Sequence, residues 1–104
     1  MVGLPPKPTV PEMLHAAAGI YEERNLLYQD NYKRFGPILK ELFPDGIVLK
    51  STHDMNRFSL LIQMLAKFTR YGMQFSNGGH ADSLDDLAVY AMMLQEVDRA
   101  DPPF

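Results

Sequence analysis

The stretch that decides the fold is His53-Asp54-Met55-Asn56-Arg57-Phe58-Ser59-Leu60-Leu61-Ile62-Gln63-Met64-Leu65-Ala66-Lys67-Phe68-Thr69-Arg70-Tyr71. It is followed by the loop Ser76-Asn77-Gly78-Gly79 and by His80-Ala81-Asp82-Ser83-Leu84-Asp85-Asp86-Leu87. Met55, Phe58, Leu61, Ile62, Leu65 and Phe68 make one stripe at helical spacing, which Leu60, Met64 and Tyr71 widen. That pattern predicts a helix buried on more than one side. At about 18 residues, interrupted by polar groups, it reads as a core helix and not a membrane span. Lys67 and Arg70 lie one turn apart near its end, and Gly72 is placed to stop it in the left-handed conformation. Carboxylates then open the next helix, so a polar site is expected where the two helices meet.

Working outward, Ser51 or Thr52 caps the central helix, with Asp54 complementing its positive end. Upstream, Thr9-Val10-Pro11-Glu12 is a capping box with a tolerated proline in the first turn. It predicts a helix to about Tyr28, with Met13, Ala17, Ile20, Arg24 and Leu27 on one face and Leu14, Tyr21 and Tyr28 beside it. A turn or helix start follows at Asp30 or Asn31. Pro37 opens a short helix over residues 38–43, which Pro44-Asp45-Gly46 closes. Ile47-Val48-Leu49 is a lone apolar run with no second strand to pair with, so no sheet is predicted. The last helix is capped by Asp82 or Ser83 and buries Leu84, Leu87, Ala88, Ala91, Leu94 and Val97, flanked by Tyr90 and Met93. Residues 1–8 form a proline-rich, extended N-terminal arm, and residues 9–104 form a single domain. Four helical segments with short connections make an all-α, four-helix bundle-like fold.

Composition sets outer limits. The chain has 104 residues, 46% of them hydrophobic, a net charge of -3 and no cysteine. A domain this small buries a modest fraction of its surface and gains from association with a second copy. The charge argues against a nucleic-acid partner, which calls for a basic stripe. Without cysteine there are no disulfides and no thiolate metal sites, which favours a cytoplasmic setting. No signal-peptide pattern and no membrane span is read in the sequence. The seven methionines suit an adaptable core or an adaptable binding surface.

Few residues carry chemistry. His15, His53 and His80 are too scattered for a spaced zinc motif, and Gly78-Gly79 follows a helix, unlike a phosphate loop. No catalytic group is identified. Asp82 and Asp86 lie four apart, on one helical face, a spacing that suits a hard divalent cation as well as it suits capping and dipole compensation. Asp86 lies near the buried stripe and wants a cation, for which Lys67 or Arg70 is the natural partner. Such a pair serves as a structural bridge or as the wall of a phosphate pocket.

Three segments carry a resemblance: residues 23–32 (ERNLLYQDNY), residues 66–71 (AKFTRY) and residues 80–91 (HADSLDDLAVYA). Together they resemble small phage and prophage proteins at the edge of the MazG-like, all-α nucleoside triphosphate pyrophosphatase group, over residues from about 12 to 97. The resemblance implies a helical bundle that forms homo-oligomers and binds a nucleoside triphosphate with Mg2+ between helices. It implies hydrolysis to a nucleoside monophosphate and pyrophosphate in active members, with the metal held by a Glu-x-x-Glu and a Glu-x-x-Asp pair. Asp86 matches the last aspartate. Ser83 stands in the place of the preceding glutamate, with Asp82 adjacent, and the central helix has no Glu-x-x-Glu. The expectation is therefore a nucleotide or phosphorylated small molecule bound by Lys67 and Arg70, with Arg24, Tyr28 and Asn31 at the mouth and His80 on the loop. Asp82 and Asp86 would hold a metal or orient the cations. The alternatives are a non-catalytic protein that blocks a host protein, and a nucleotide sponge.

Overall fold

A computed structural model describes residue 3 and residues 6–100. Half of the expected proline-rich arm (residues 1, 2, 4 and 5) and residues 101–104 lie outside the described residues; residues 3 and 6–8 are exposed and belong to no helix. The described chain is all-helical, with α1 (Val10–Tyr28), α2 (Phe35–Leu42), α3 (Thr52–Met73) and α4 (Ala81–Arg99), plus two 3-10 turns, Asn31–Lys33 and Phe75–Asn77. It contains no strand among the described residues, and Ile47-Val48-Leu49 is an irregular connection.

Helix starts follow the side chains that can satisfy free backbone amides. Thr9 and Glu12 form a full capping box on α1, and Ser51 and Asp54 form another on α3. At α4 the cap is neither Asp82 nor Ser83. His80 fills the position, its ring accepting from the Ser83 amide. An imidazole nitrogen two residues upstream of Asp82 does what a carboxylate was expected to do. Helix α2 starts at Phe35, before Pro37, whose missing amide falls in the unpaired first turn. Gly72 does not end α3; the helix passes through it to Met73. The reversal is made instead by Gly78 and Gly79, with φ of 95° and 94°. A Cβ on Gly79 would meet the Tyr71 ring at 3.0 Å, so the loop closes against α3 only because glycine stands there.

Helices α3 and α4 pack as an antiparallel pair. Lys67 meets Asp86 near the loop end, and Arg57 meets Asp98 near the other. Along this pair Leu65, Thr69, Ser83 and Val97 are buried. The Thr69 hydroxyl is satisfied within its own helix, donating to the Leu65 and Ala66 carbonyls at 3.1 Å each. Two expectations are corrected here. Met55 and Phe68, assigned to the buried stripe of α3, are exposed, as are Leu84 and Ala88 of α4. The α4 seam is rotated to Ser83, Leu87, Tyr90, Ala91, Leu94 and Val97.

Within one chain the expected four-helix bundle does not close. Helix α1 buries no residue. Its apolar stripe faces outward, with Ile20 51% and Leu27 65% exposed. The radius of gyration is 19.1 Å, against about 13 Å for a compact chain of this length. A compact monomer of this mass exposes about 5,900 Å², whereas this chain exposes 8421 Å².

The corner after α1 is held by polar contacts. Gln29 and Asp30 are both left-handed, with φ of 48° and 58°. The Asn25 amide donates to Asp30 Oδ1 at 2.8 Å, the Asp30 amide donates to Asn25 Oδ1 at 2.9 Å, and Lys33 Nζ lies 3.1 Å from Asp30 Oδ2. Aspartate tolerates this backbone region, while glutamine has no compensating side-chain bond there. Gln29→Gly is therefore expected to raise stability by about 1 kcal/mol in denaturant titration.

Two carboxylates sit below their ordinary values. The Asn25 amide, then Lys33, lowers Asp30; the backbone amides of Lys50 and Ser51 lower Asp54. A lowered folded-state value means that the contribution is complete above the ordinary carboxylate range and lost as pH falls through the lowered value. Acid titration of the unfolding midpoint should fall below about pH 4, and Asp30→Asn with Asp54→Asn should flatten that limb.

Candidate functional site

Where α1 ends against the end of α3, six residues line a small cleft of about 200 Å³: Leu27, Tyr28, Arg70, Met73, Gln74 and His80. The Arg70 guanidinium lies 5.3 Å from the centroid of the Tyr28 ring, a cation–π contact. Among the described residues Arg70 has no carboxylate partner within ion-pair distance. His80 Nδ1 lies 2.6 Å from Ser83 Oγ and accepts the Ser83 backbone N–H at 3.3 Å. Accepting from that amide places the neutral ring's proton on Nε2, which leaves a donor for a ligand.

Of the residues expected to bind a ligand, Tyr28, Arg70 and His80 come together in this cleft. Lys67, one turn before Arg70 on α3, pairs with Asp86 at 2.8 Å. The lysine side chain is 18% exposed and the aspartate 51%, so the pair anchors α4 to α3 at the rim of the seam. Arg24 lies one turn before Tyr28 on α1 and lines a separate shallow groove with Tyr21, Asn25 and Tyr32. The hydroxyls of Tyr21 and Tyr32 share a hydrogen bond of 3.0 Å there. Asn31 opens the 3-10 turn, and its Oδ1 is buried with no hydrogen-bond partner. Neither Arg24 nor Asn31 lines the cleft.

Asp82 lies exposed in the first turn of α4, one turn before Asp86. Among the described residues no group of three or more His, Cys, Asp or Glu side chains gathers around one point. A magnesium ion takes a near-octahedral set of oxygens. Two carboxylates, one already engaged by Lys67, do not make that set in a single chain. Ser83, in the place where the resemblance expects a glutamate, is 1% exposed and turned into the seam.

Sequence reasoning missed a second, larger groove of about 360 Å³ between the 43–49 connection, α3 and the end of α4, floored by Phe43, Phe58, Leu61 and Leu94. Arg57 Nε donates to Asp98 Oδ1 at 2.7 Å at this groove. The signal for it was the apolar run Ile47-Val48-Leu49, which has no strand to join and lies over α3 instead.

No family model matches the chain, and no curated protein or solved structure matches it either. No described helix is long and apolar enough to cross a membrane. What the fold and cleft define is a class only: a small all-α protein with an antiparallel helix pair, an outlying first helix and a cationic cleft between them.

The burial of Ser83 gives a direct test of how far this seam departs from a metal-binding helix. Ser83→Glu would force a carboxylate into packed surroundings and is expected to lower unfolding free energy by about 2 kcal/mol or more, read by urea titration.

Proposed function

We propose that this chain, as a divergent MazG-like protein, binds a nucleotide or a related phosphorylated small molecule in the cleft of Tyr28, Arg70 and His80. The observation that carries the reading is Arg70: a guanidinium held over an aromatic ring, with no carboxylate among the described residues to neutralise it, beside an imidazole that offers Nε2–H. A guanidinium suits bidentate binding of a phosphate group. Lys67, one turn away, is paired with Asp86 and leaves Arg70 as the cation of the cleft. Among the described residues the carboxylates near the cleft are too few to hold a catalytic magnesium, which supports binding without turnover, the behaviour of a nucleotide sponge, over pyrophosphohydrolysis. A second reading, a non-catalytic protein that acts on a host protein, draws support from the exposed apolar faces of α1 and α4.

A thermal-shift screen against nucleoside triphosphates, cyclic nucleotides and pyrophosphate, with and without magnesium, tests the proposal. A ligand at about 100 times its dissociation constant adds about 2.7 kcal/mol, or a rise of about 10 °C or more for a domain of this size. The rise should vanish in Arg70→Ala, and product analysis of the responding ligand should show no pyrophosphate released. A folded protein that no phosphate compound shifts overturns the reading.

A further inference from the structure

The outward face of α1 and the outward face of α4 match each other in shape and charge. On α1, Met13, Ala17, Ile20, Arg24 and Leu27 repeat at spacings of three and four, which makes a seam of the kind that packs against another helix. All of them are exposed. The seam carries one charge, Arg24, and Arg24 has no ion-pair partner among the described residues. Of the other charged groups of α1, Glu22 lies on the opposite side, while Glu12 and Glu23 flank the seam. On α4, Ala88, Val89, Met92, Met93 and Glu96 line a shallow groove of about 400 Å³. Met92 is 59% and Val89 55% exposed. Glu96 is the one charge lining that groove, and it too has no ion-pair partner among the described residues.

We infer that the occupant of the α4 groove is α1 of a second copy of this chain, with Arg24 of each protomer paired to the second copy's Glu96. The contact is reciprocal, so two copies close a two-fold dimer in which each gives α1 and receives it. Area supports a second copy over a small ligand or a short peptide. The chain exposes 8421 Å², about 2,500 Å² beyond a compact monomer of its mass. Two copies together carry about 5,000 Å² of such excess, enough to supply the roughly 2,000–5,000 Å² that an obligate homodimer buries in total over both partners. One apolar face with a single cation and one with a single carboxylate, both on the same chain, are complementary to each other. A heterologous partner would have to supply both complements itself. The inference does not rest on the nucleotide reading: Leu27 alone is shared with the cleft, and Arg24 and Glu96, which carry the contact, do not line it.

The test is charge exchange followed by sedimentation equilibrium. The wild-type chain should sediment at twice 11.8 kDa. Arg24→Glu and Glu96→Arg should each weaken the dimer about tenfold or more, and the double variant should recover most of that loss. Both positions are exposed, and far-UV circular dichroism checks that the variants fold. A second measurement uses the absence of native cysteine: Arg24→Cys and Glu96→Cys in one chain should give a disulfide-linked dimer under mild oxidation, at far higher yield than either single variant. A monomeric wild-type chain at micromolar concentration overturns the inference and points to a heterologous partner. Single charge variants that dimerise as tightly as wild type, or a double-cysteine chain that links no better than the singles, overturn the assigned contact. Arg70→Ala should leave the dimer intact, so loss of ligand binding and loss of dimer are told apart.

Discussion

The packing of α3 on α4 is the constraint from which everything else in the chain takes its place. It buries Leu65 and Val97 and the hydroxyls of Thr69 and Ser83, and it is pinned near its two ends by Lys67–Asp86 and Arg57–Asp98. The exposed Arg57–Asp98 pair contributes about 0–1 kcal/mol, and the half-buried Lys67–Asp86 pair gives back much of its attraction in desolvation, so both set register more than they add stability. Register is what the cleft needs. A slip of one turn between the helices would carry His80 away from Arg70 and would leave Ser83 opposite a different side chain.

The loop between these helices is where fold and site meet. Gly79 can lie against Tyr71 because it has no Cβ, and the chain then turns directly into His80. His80 performs two tasks at once: Nδ1 caps α4 and Nε2 remains free for other contacts. A residue committed on one side to the backbone is held in orientation, and a preoriented donor loses less freedom when it binds. The same economy appears in Arg70, whose guanidinium is already stacked on Tyr28.

Much of the helical plan was legible in the sequence. The capping boxes at Thr9 and Ser51 located two helix starts because their chemistry is local, a side-chain oxygen meeting an amide three residues on. The Lys67–Asp86 pair was legible because a carboxylate beside a buried stripe needs a cation within reach. What the sequence did not yield were the facts that depend on distant packing. The seam of α4 could not be placed between two overlapping stripes until α3 was set against it, and Leu84 and Ala88 were assigned to the wrong side for that reason. His80 was overlooked as a cap since imidazole rarely fills that position. Arg24 and Asn31 were grouped with the cleft by closeness in sequence; the corner at Gln29 and Asp30 sends Asn31 elsewhere, and Arg24 lies one turn too far back along α1.

That corner has a mechanical meaning. Helix α1 is 19 residues long, or about 28 Å at the usual rise per residue, and its contacts with the rest of the described chain gather at its end: two consecutive left-handed residues, one aspartate-centred set of hydrogen bonds, the Tyr21–Tyr32 hydroxyl pair and the Arg70–Tyr28 contact. A rotation of only about 20° at that junction would carry the far end of α1 through about 10 Å, by simple lever geometry on that rise. The carboxylate of Asp30 thus works as a latch at the fulcrum, where a small local change has its greatest reach.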